Sequence, residues 1–430
     1  MKNKTIKVDY LSRVEGEGGL FVKIKDNELS EVKFKIFEPP RFYEAFLRDR
    51  KYYEAPDITA RICGICPMAY MTSASQAMEN AFGIKIDGQI RALRRLIYCG
   101  EWIESHALHV FLLHAPDFLG YPDGIQLAKD HPDIVNKALH LKKIGNEVMI
   151  VIGGREIHPV NFRVGGFYKA PAKKDLTKLL DDLKRAQDFC VDAVKWTAQL
   201  QYPDFEYDYE YVALRHPDEY AIIEGHVVSN KGLDIPVNEY DQHFIEEHVQ
   251  HSTSLHAYIK GRGAYMTGPL ARYNLNFEQL TPLCKSLAAE INMKPPVNNP
   301  FKSIAARMIE TLYAVEESLR LIEQYEEPDK PYIEHTPRAA TCSGASEAPR
   351  GICYHRYHVD DKGVILDAKI IPPTSQNQKM IESDLWHFVS KFINEPKDKL
   401  QMKCEQAIRN YDPCISCSCH FLNLEIERED

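Results

Sequence analysis

The sequence predicts an α+β fold, predominantly helical, in which a long central helix bundle carries small peripheral β-hairpins and sheets. Three observations lead there. Apolar residues recur at 3.6-residue spacing over 89–114, 174–200 and 301–324. Strict alternation of apolar and polar residues marks a stretch near each end, 20–36 and 350–371. No Pro/Gly/Ser-rich linker, charge block or internal repeat divides the 430 residues, so 1–430 reads as one unit although its length allows two or three domains. Within it lie an N-terminal β region (1–40), a mainly helical body (41–345), a β-hairpin (346–376), C-terminal helices ending in a cysteine motif (377–420) and a tail (421–430).

Taken in order, Leu20, Val22 and Ile24 alternate with polar neighbours, Asp26-Asn27 supplies a turn, and Val32, Phe34 and Ile36 alternate again, which makes a hairpin. From 89 to 114, Ile90, Leu93, Leu96, Ile97, Ile103, Ala107, Leu108 and Phe111 predict a long, largely buried helix. His106 and His109 lie on it and read as hydrogen-bonded core histidines. Leu176, Leu179, Leu180, Leu183, Ala186 and Val191 mark a second helix; Ile304, Met308, Leu312, Val315, Leu319 and Ile322 mark a third. The tyrosine-rich stretch at 202–207 reads as packing surface. A turn at Asp360-Asp361-Lys362-Gly363 closes the second hairpin, which places Ala348-Pro349-Arg350-Gly351 and Pro373-Thr374-Ser375 at the same end. Helices over 377–394 and 398–411 then deliver the chain to its last cysteines.

A hydrophobic content of 44% with 27% charged residues describes a globular protein with a sizeable core. The net charge of -9, with no basic stripe to offset it, makes nucleic acid an improbable partner. No apolar run approaches a membrane span and no signal-peptide segment precedes the first strand, so the expected location is cytoplasmic. Of the eleven cysteines, Cys99, Cys190, Cys284, Cys342, Cys353 and Cys404 are scattered singly and read as core thiols.

Chemistry concentrates in two Cys-x-x-Cys pairs, Arg61-Ile62-Cys63-Gly64-Ile65-Cys66-Pro67 and Asp412-Pro413-Cys414-Ile415-Ser416-Cys417-Ser418-Cys419-His420. Four thiolates read by default as a zinc or iron-sulfur site. Zinc-ribbon knuckles usually stand about 15 to 20 residues apart, whereas these pairs are separated by most of the chain. A site that joins both ends of a domain is its functional centre. The residues themselves leave three readings open: a redox enzyme with a bimetallic thiolate site, an electron-transfer iron-sulfur protein, or a zinc-stabilised scaffold. Metal content separates them.

These two segments, together with Arg13-Val14-Glu15-Gly16, Pro40-Arg41-Phe42-Tyr43-Glu44, Ser105-His106-Ala107-Leu108-His109, Gly153-Gly154-Arg155, Ala348-Pro349-Arg350-Gly351 and Pro373-Thr374-Ser375-Gln376-Asn377, resemble the large, catalytic subunit of nickel-iron hydrogenases. Glu17 and Tyr70 stand where histidine is usual in that family. Both departures resemble the branch of cytosolic, NAD(P)-linked hydrogenases also described as sulfhydrogenases.

The resemblance implies the nickel-iron hydrogenase large-subunit fold and reversible heterolytic cleavage of H2. It implies that Cys63 and Cys414 bind nickel terminally, while Cys66 and Cys417 bridge nickel to an iron carrying carbon monoxide and cyanide. Cys414 or Arg350 takes the proton, and Glu15 passes it on; the thiolate is preferred because a guanidinium is normally fixed as a cation. Pro349, Arg350 and Thr374 hydrogen-bond the iron's ligands, Asp412 and Asp117 orient Arg350, and Glu44, His420 and a main-chain carbonyl near Ile370 hold magnesium or a similar hard cation. Without the resemblance, Glu15 reads as a solvated loop residue, Asp117 as a turn aspartate and Glu44 as an exposed helix glutamate. No further cluster-binding cysteine spacing occurs, and no Gly-x-Gly-x-x-Gly follows a strand. The implied partners are therefore a small subunit with iron-sulfur clusters and diaphorase subunits with flavin (FAD) and further clusters. Maturation implies a chaperone and an endopeptidase that cuts after His420 and removes 421–430.

Overall fold

The computed structural model describes residues 3–419. Its centre is a bundle of the helices Pro67–Phe82, Gly88–Leu108, Pro132–Gly153, Leu180–Thr197 and Ser303–Glu323. Gly88–Leu108 lies against both Pro132–Gly153 and Ser303–Glu323. Its contact with the former is backbone-close, since a Cβ on Gly145 would stand 2.6 Å from the Gly100 carbonyl oxygen. The two helices that periodicity did not single out are instructive. Pro67–Phe82 is buried nearly all round, leaving little amphipathic period to read. Pro132–Gly153 carries its stripe partly on the small residues Ala138 and Gly145.

The expected helices are present with altered ends. The 89–114 prediction is Gly88–Leu108, continued by a π-helical turn His109–His114 and a short helix Ala115–Leu119. Pro116 is tolerated there because the first turn of a helix needs no N–H from it. The 174–200 prediction divides into Lys173–Thr177 and Leu180–Thr197, and Ser303–Glu323 follows a 3-10 turn at Pro300–Lys302. The C-terminal pair are Pro373–Lys391 and Lys397–Arg409, the first beginning at its own proline.

Both predicted hairpins gain a strand. Lys4–Val8 pairs antiparallel with Gly18–Lys25, which pairs with Glu28–Ile36. Ala340–Ala348 pairs with Gly351–Val359, which pairs with Ile365–Ile371. The strand Ala340–Ala348 has small residues instead of alternation because the Pro67–Phe82 helix lies on it; a Cβ on Gly344 would meet the Ser73 carbonyl at 2.4 Å. Its junction with the next strand is a two-residue turn, Pro349-Arg350, with Ala348 paired to Gly351. That turn and the start of the Pro373–Lys391 helix lie at the same end of the sheet, as the sequence predicts.

A fully buried ion network anchors the turn. Arg272 donates to Glu310 through Nε (2.8 Å) and Nη2 (2.7 Å), to Glu347 (3.0 Å), and to the carbonyls of Ala348 (2.7 Å) and Pro349 (2.9 Å). Its guanidinium lies 4.4 Å over the Trp102 ring. Glu310 also accepts from Tyr220 (2.7 Å) and meets His106 at 3.1 Å. The carboxyl of Glu310 drops to about 2: burial opposes this, but Arg272 outweighs it. Arg272→Met strands two buried carboxylates and is expected to destabilise the fold by about 3–5 kcal/mol. A thermal unfolding midpoint equal to wild type would contradict this.

All eleven cysteines are free thiols, and Cys99, Cys190, Cys284, Cys353 and Cys404 are buried as expected, with Cys342 half-buried. No helix among the described residues is long and apolar enough to cross a membrane.

Candidate metal centre

Each cysteine pair is presented by a tight local turn. Cys63 sits just after the short Ala55–Ala60 helix, and Cys66 caps the Pro67–Phe82 helix with Pro67 in its first turn. The backbone amides of Ile65 and Cys66 donate to Cys63 Sγ at 3.3 and 3.2 Å. At the other end, the Lys397–Arg409 helix stops and Asp412 takes a left-handed conformation (φ 53°), turning Pro413 and Cys414 back into the core. Cys417 follows in a 3-10 turn, Ser416–Ser418.

The four sulfurs all lie within 4.8 Å of one another. Cys63 is 3.6 Å from Cys414, Cys66 is 3.9 Å from Cys417, and Cys414 is 2.7 Å from Cys417. Sulfurs sharing one tetrahedral ion at about 2.3 Å stand about 3.8 Å apart, so two of these separations match a common metal. The close sulfurs share charge. Neighbouring thiols and burial push Cys66 up, and burial raises Cys414 and Cys417. Cys63 is held low, because the other three thiols and Arg350 outweigh its burial.

Glu15 flanks the cage. Its Oε2 lies 3.0 Å from Cys414 Sγ and accepts the Ser416 amide at 3.1 Å, while its carbonyl accepts the Ile415 amide at 2.9 Å. The next residue must be glycine: Gly16 has φ +85°, and a Cβ there would stand 2.8 Å from Ile415 Cβ and 2.9 Å from the Ser416 nitrogen. Glu17 is exposed, with its amide on Glu38.

Arg350 flanks the cage from the strand turn. Its Nε donates to the Asp412 carbonyl (2.6 Å) and Nη2 to Asp412 Oδ1 (3.1 Å). Nη1 is buried without a hydrogen-bond partner. Burial alone lowers this guanidinium's pKa, but Asp412 and the cage cysteines raise it further, so it stays a cation. Thr374, in the first turn of its helix, accepts the Cys414 amide at 3.0 Å, and the Pro349 carbonyl is engaged by Arg272. A buried donor with no partner beside four thiolates fits a small acceptor bound at the cage.

Asp117 corrects one expectation. It does not orient Arg350. Its carboxylate is taken by Arg409, at 2.7 Å from both Nε and Nη2, and by Arg13 at 2.5 Å. Burial would raise the Asp117 carboxyl, but Arg409 holds it low. The reason is its place on Ala115–Leu119, which brings it to the end of the last long helix and the loop that carries Glu15. Orientation of Arg350 falls to Asp412 alone among the two.

Glu44, on the short helix Tyr43–Leu47, accepts the Ile370 amide at 2.7 Å. Burial pushes its carboxyl up to about 8, with Glu246 as a further raising influence. His420, the third member of the expected hard-cation set, lies outside the described residues, as does 421–430.

Arg41 is the residue whose role sequence reasoning missed. Its Nη2 donates to the Ile62 carbonyl (2.7 Å) and to that of Ser416, and its amide donates to the Cys419 carbonyl (2.7 Å). It thus ties together the residues just before Cys63 and just before Cys417. Its presence in Pro40-Arg41-Phe42-Tyr43-Glu44 was the available signal. Tyr70, at the histidine position noted above, is buried, with its hydroxyl unpartnered; burial and then Cys417 and Cys66 push it up.

Comparison with known proteins agrees along nearly the whole chain. The family described as "Nickel-dependent hydrogenase" matches residues 41–132 and 257–420. The chain is 34% identical to sulfhydrogenase 1 subunit alpha of Pyrococcus furiosus, covering 97% of this chain and 98% of that one. It is 26% identical to the NAD-reducing hydrogenase HoxS subunit beta of Cupriavidus necator, covering 98% and 95%. A crystal structure of an NAD+-reducing [NiFe]-hydrogenase in the H2-reduced state superposes with a TM-score of 0.89 at 26% identity, covering 97% of this chain and 99% of that one. The fold is shared more distantly by the [NiFeSe]-hydrogenase of Dm. baculatum, with a TM-score of 0.80 at 22% identity. Likeness of this extent, converging on the cysteine cage, places the chain in the nickel-dependent hydrogenase family, as one of its large subunits and an oxidoreductase acting on H2.

Proposed function

We propose that this subunit serves a nicotinamide-linked hydrogenase, with nickel and an iron bearing carbon monoxide and cyanide held by Cys63, Cys66, Cys414 and Cys417. The carrying observation is the four-sulfur cage with a carboxylate on one side and a fixed guanidinium on the other. Cys63 and Cys414, 3.6 Å apart, would hold the nickel, and Cys66 and Cys417, 3.9 Å apart, would serve both metals. When bound, the metals supply the Lewis acidity and electron sink that H2, a very weak acid, needs to lose a proton. Cys414 Sγ then accepts the proton and Glu15 Oε2 takes it on. Arg350 is poorly suited as the base, since Asp412 fixes its charge; its unpartnered Nη1 and the Thr374 hydroxyl are donors suited to cyanide.

A second, hard cation fits Glu44. Ile370 is paired with His355, and its N–H points away from that partner to Glu44. In an extended strand the N–H and C=O of one residue point to the same side, so the Ile370 carbonyl joins the same edge. With His420 this makes an oxygen-rich magnesium site that pins the C-terminus.

Electrons leave through a small subunit with iron-sulfur clusters. Support comes from the Cys63–Cys66 loop, where Arg61 and Gly64 are exposed and Gly64 adjoins Ile157, itself 51% exposed. Likeness to a sulfhydrogenase and to NAD-reducing enzymes supports flavin and iron-sulfur diaphorase subunits beyond it, and a cytoplasmic complex. The test is metal content with turnover. The complex is expected to hold both nickel and iron, show carbon monoxide and cyanide bands in the infrared, and reduce NAD or NADP with H2. Zinc alone, or iron without nickel, overturns the assignment.

Maturation follows from the same closure. Cys419 is buried and its carbonyl is held by the Arg41 amide, so the cage is shut behind any metal. Delivery therefore precedes closure, and cleavage after His420 by an endopeptidase, with a chaperone presenting the open form, completes it. Intact-mass measurement is expected to show active subunit ending at His420 and nickel-free subunit retaining Asp430. An active subunit ending at Asp430 refutes this.

A further inference from the structure

A second group of metal-ligating side chains lies apart from both sites. His251 and His256, on the segment leading into the strand His256–Ile259, meet Glu382 of the Pro373–Lys391 helix, and one donor atom from each lies within 4.8 Å of the others. His251 Nε2 is 2.7 Å from Glu382 Oε1, and His256 Nδ1 is 4.0 Å from Oε2. Donors sharing a tetrahedral ion at about 2.0–2.1 Å stand about 3.4 Å apart, and these separations bracket that value.

The group is left incomplete by its neighbours. Glu382 Oε1 also accepts the Phe34 amide at 2.9 Å, which fixes the carboxylate against the N-terminal sheet and leaves Oε2 toward His256. His256 is 3% exposed; its Nδ1, the nitrogen that faces Glu382, stands 4.0 Å from Oε2, beyond hydrogen-bond reach, and its Nε2 has no hydrogen-bond partner. An imidazole buried in this way is costly unless something satisfies it. His251 and Glu382 keep 18% and 19% of their side chains exposed, so an ion can enter and water can fill a fourth position. The nearby lysines are engaged elsewhere, Lys33 with Glu31 and Lys379 with Glu247.

We propose that His251, His256 and Glu382 bind one borderline divalent cation, zinc by donor type, as a structural clamp. Two imidazoles and a carboxylate select zinc over magnesium. The clamp fastens the segment whose Thr253 donates to the carbonyls of Ile36 (2.7 Å) and Glu38 (2.7 Å), and whose hydroxyl lies 3.6 Å from Cys419 Sγ. It thereby braces the chain next to Cys419, behind the cysteine cage. It shares no donor with the cage or with the Glu44 group.

The test uses the purified metal-loaded complex and zinc ions alone. One zinc per large subunit is expected beyond the nickel and iron, with an absorption-edge spectrum showing only nitrogen and oxygen neighbours. His251→Gln preserves a hydrogen-bonding partner for Glu382 but not the imidazole ligand, and is expected to weaken zinc binding about tenfold or more with nickel content unchanged. Zinc is expected to raise the thermal midpoint of wild type and not of the variant. Sulfur in the zinc shell, no zinc retained, or equal zinc affinity in H251Q overturns the proposal, and His256→Gln repeats the measurement should H251Q fail to fold.

Discussion

Cys417→Ser is expected to abolish H2 uptake with artificial dyes and to strip iron or nickel from the complex. The sulfur lies 3.9 Å from Cys66 and 2.7 Å from Cys414, inside the four-sulfur cage, and under the proposed assignment it would serve both metals. A serine hydroxyl is harder and stays protonated, which makes it a poor substitute for a soft bridging thiolate. The turn itself survives, because it is held by the Ser418 amide and hydroxyl on the Ile415 carbonyl, at 2.9 and 2.7 Å, and by Arg41 on Ser416. Loss of activity is therefore not loss of fold. Dye-linked uptake near the wild-type rate, with both metals retained, sinks the assignment of Cys417 as a ligand.

The cysteine pairs were legible because Cys-x-x-Cys is a local pattern: three residues of chain suffice to bring two sulfurs to one ion. The long helices were legible where one face is apolar and failed where burial is on every side, as in Pro67–Phe82, or where small residues make the contact, as at Ala138 and Gly145 of Pro132–Gly153. The strand Ala340–Ala348 was hidden for the same reason, since close packing demanded small residues there. What sequence spacing does not carry is partner choice among distant charges. Asp117 and Asp412 were both expected on Arg350, yet the geometry of the Ala115–Leu119 turn gives Asp117 to Arg13 and Arg409. Arg41 acts through main-chain carbonyls and Arg272 partly so, and the spacing of side-chain motifs does not say which carbonyls they reach.

Glu15→Gln is expected to leave nickel and iron in place while slowing proton exchange about 100-fold or more, the usual range for losing a positioned acid-base group. The amide keeps the shape of the side chain and an oxygen for the Ser416 amide, now at 3.1 Å. The loop keeps its main-chain bond from Ile415 to the Glu15 carbonyl, and Gly16 keeps its close approach to Ile415 and Ser416. What the amide lacks is an oxygen that takes a proton from Cys414 Sγ, 3.0 Å away, and gives it up again. Hydrogen-deuterium exchange should therefore fall with metal content constant, and Glu15→Asp should recover part of the rate because it restores a carboxylate at a longer reach. Unchanged exchange in the glutamine variant would mean that the proton leaves by another route, with Glu17, two residues on and open to solvent, the next position to substitute.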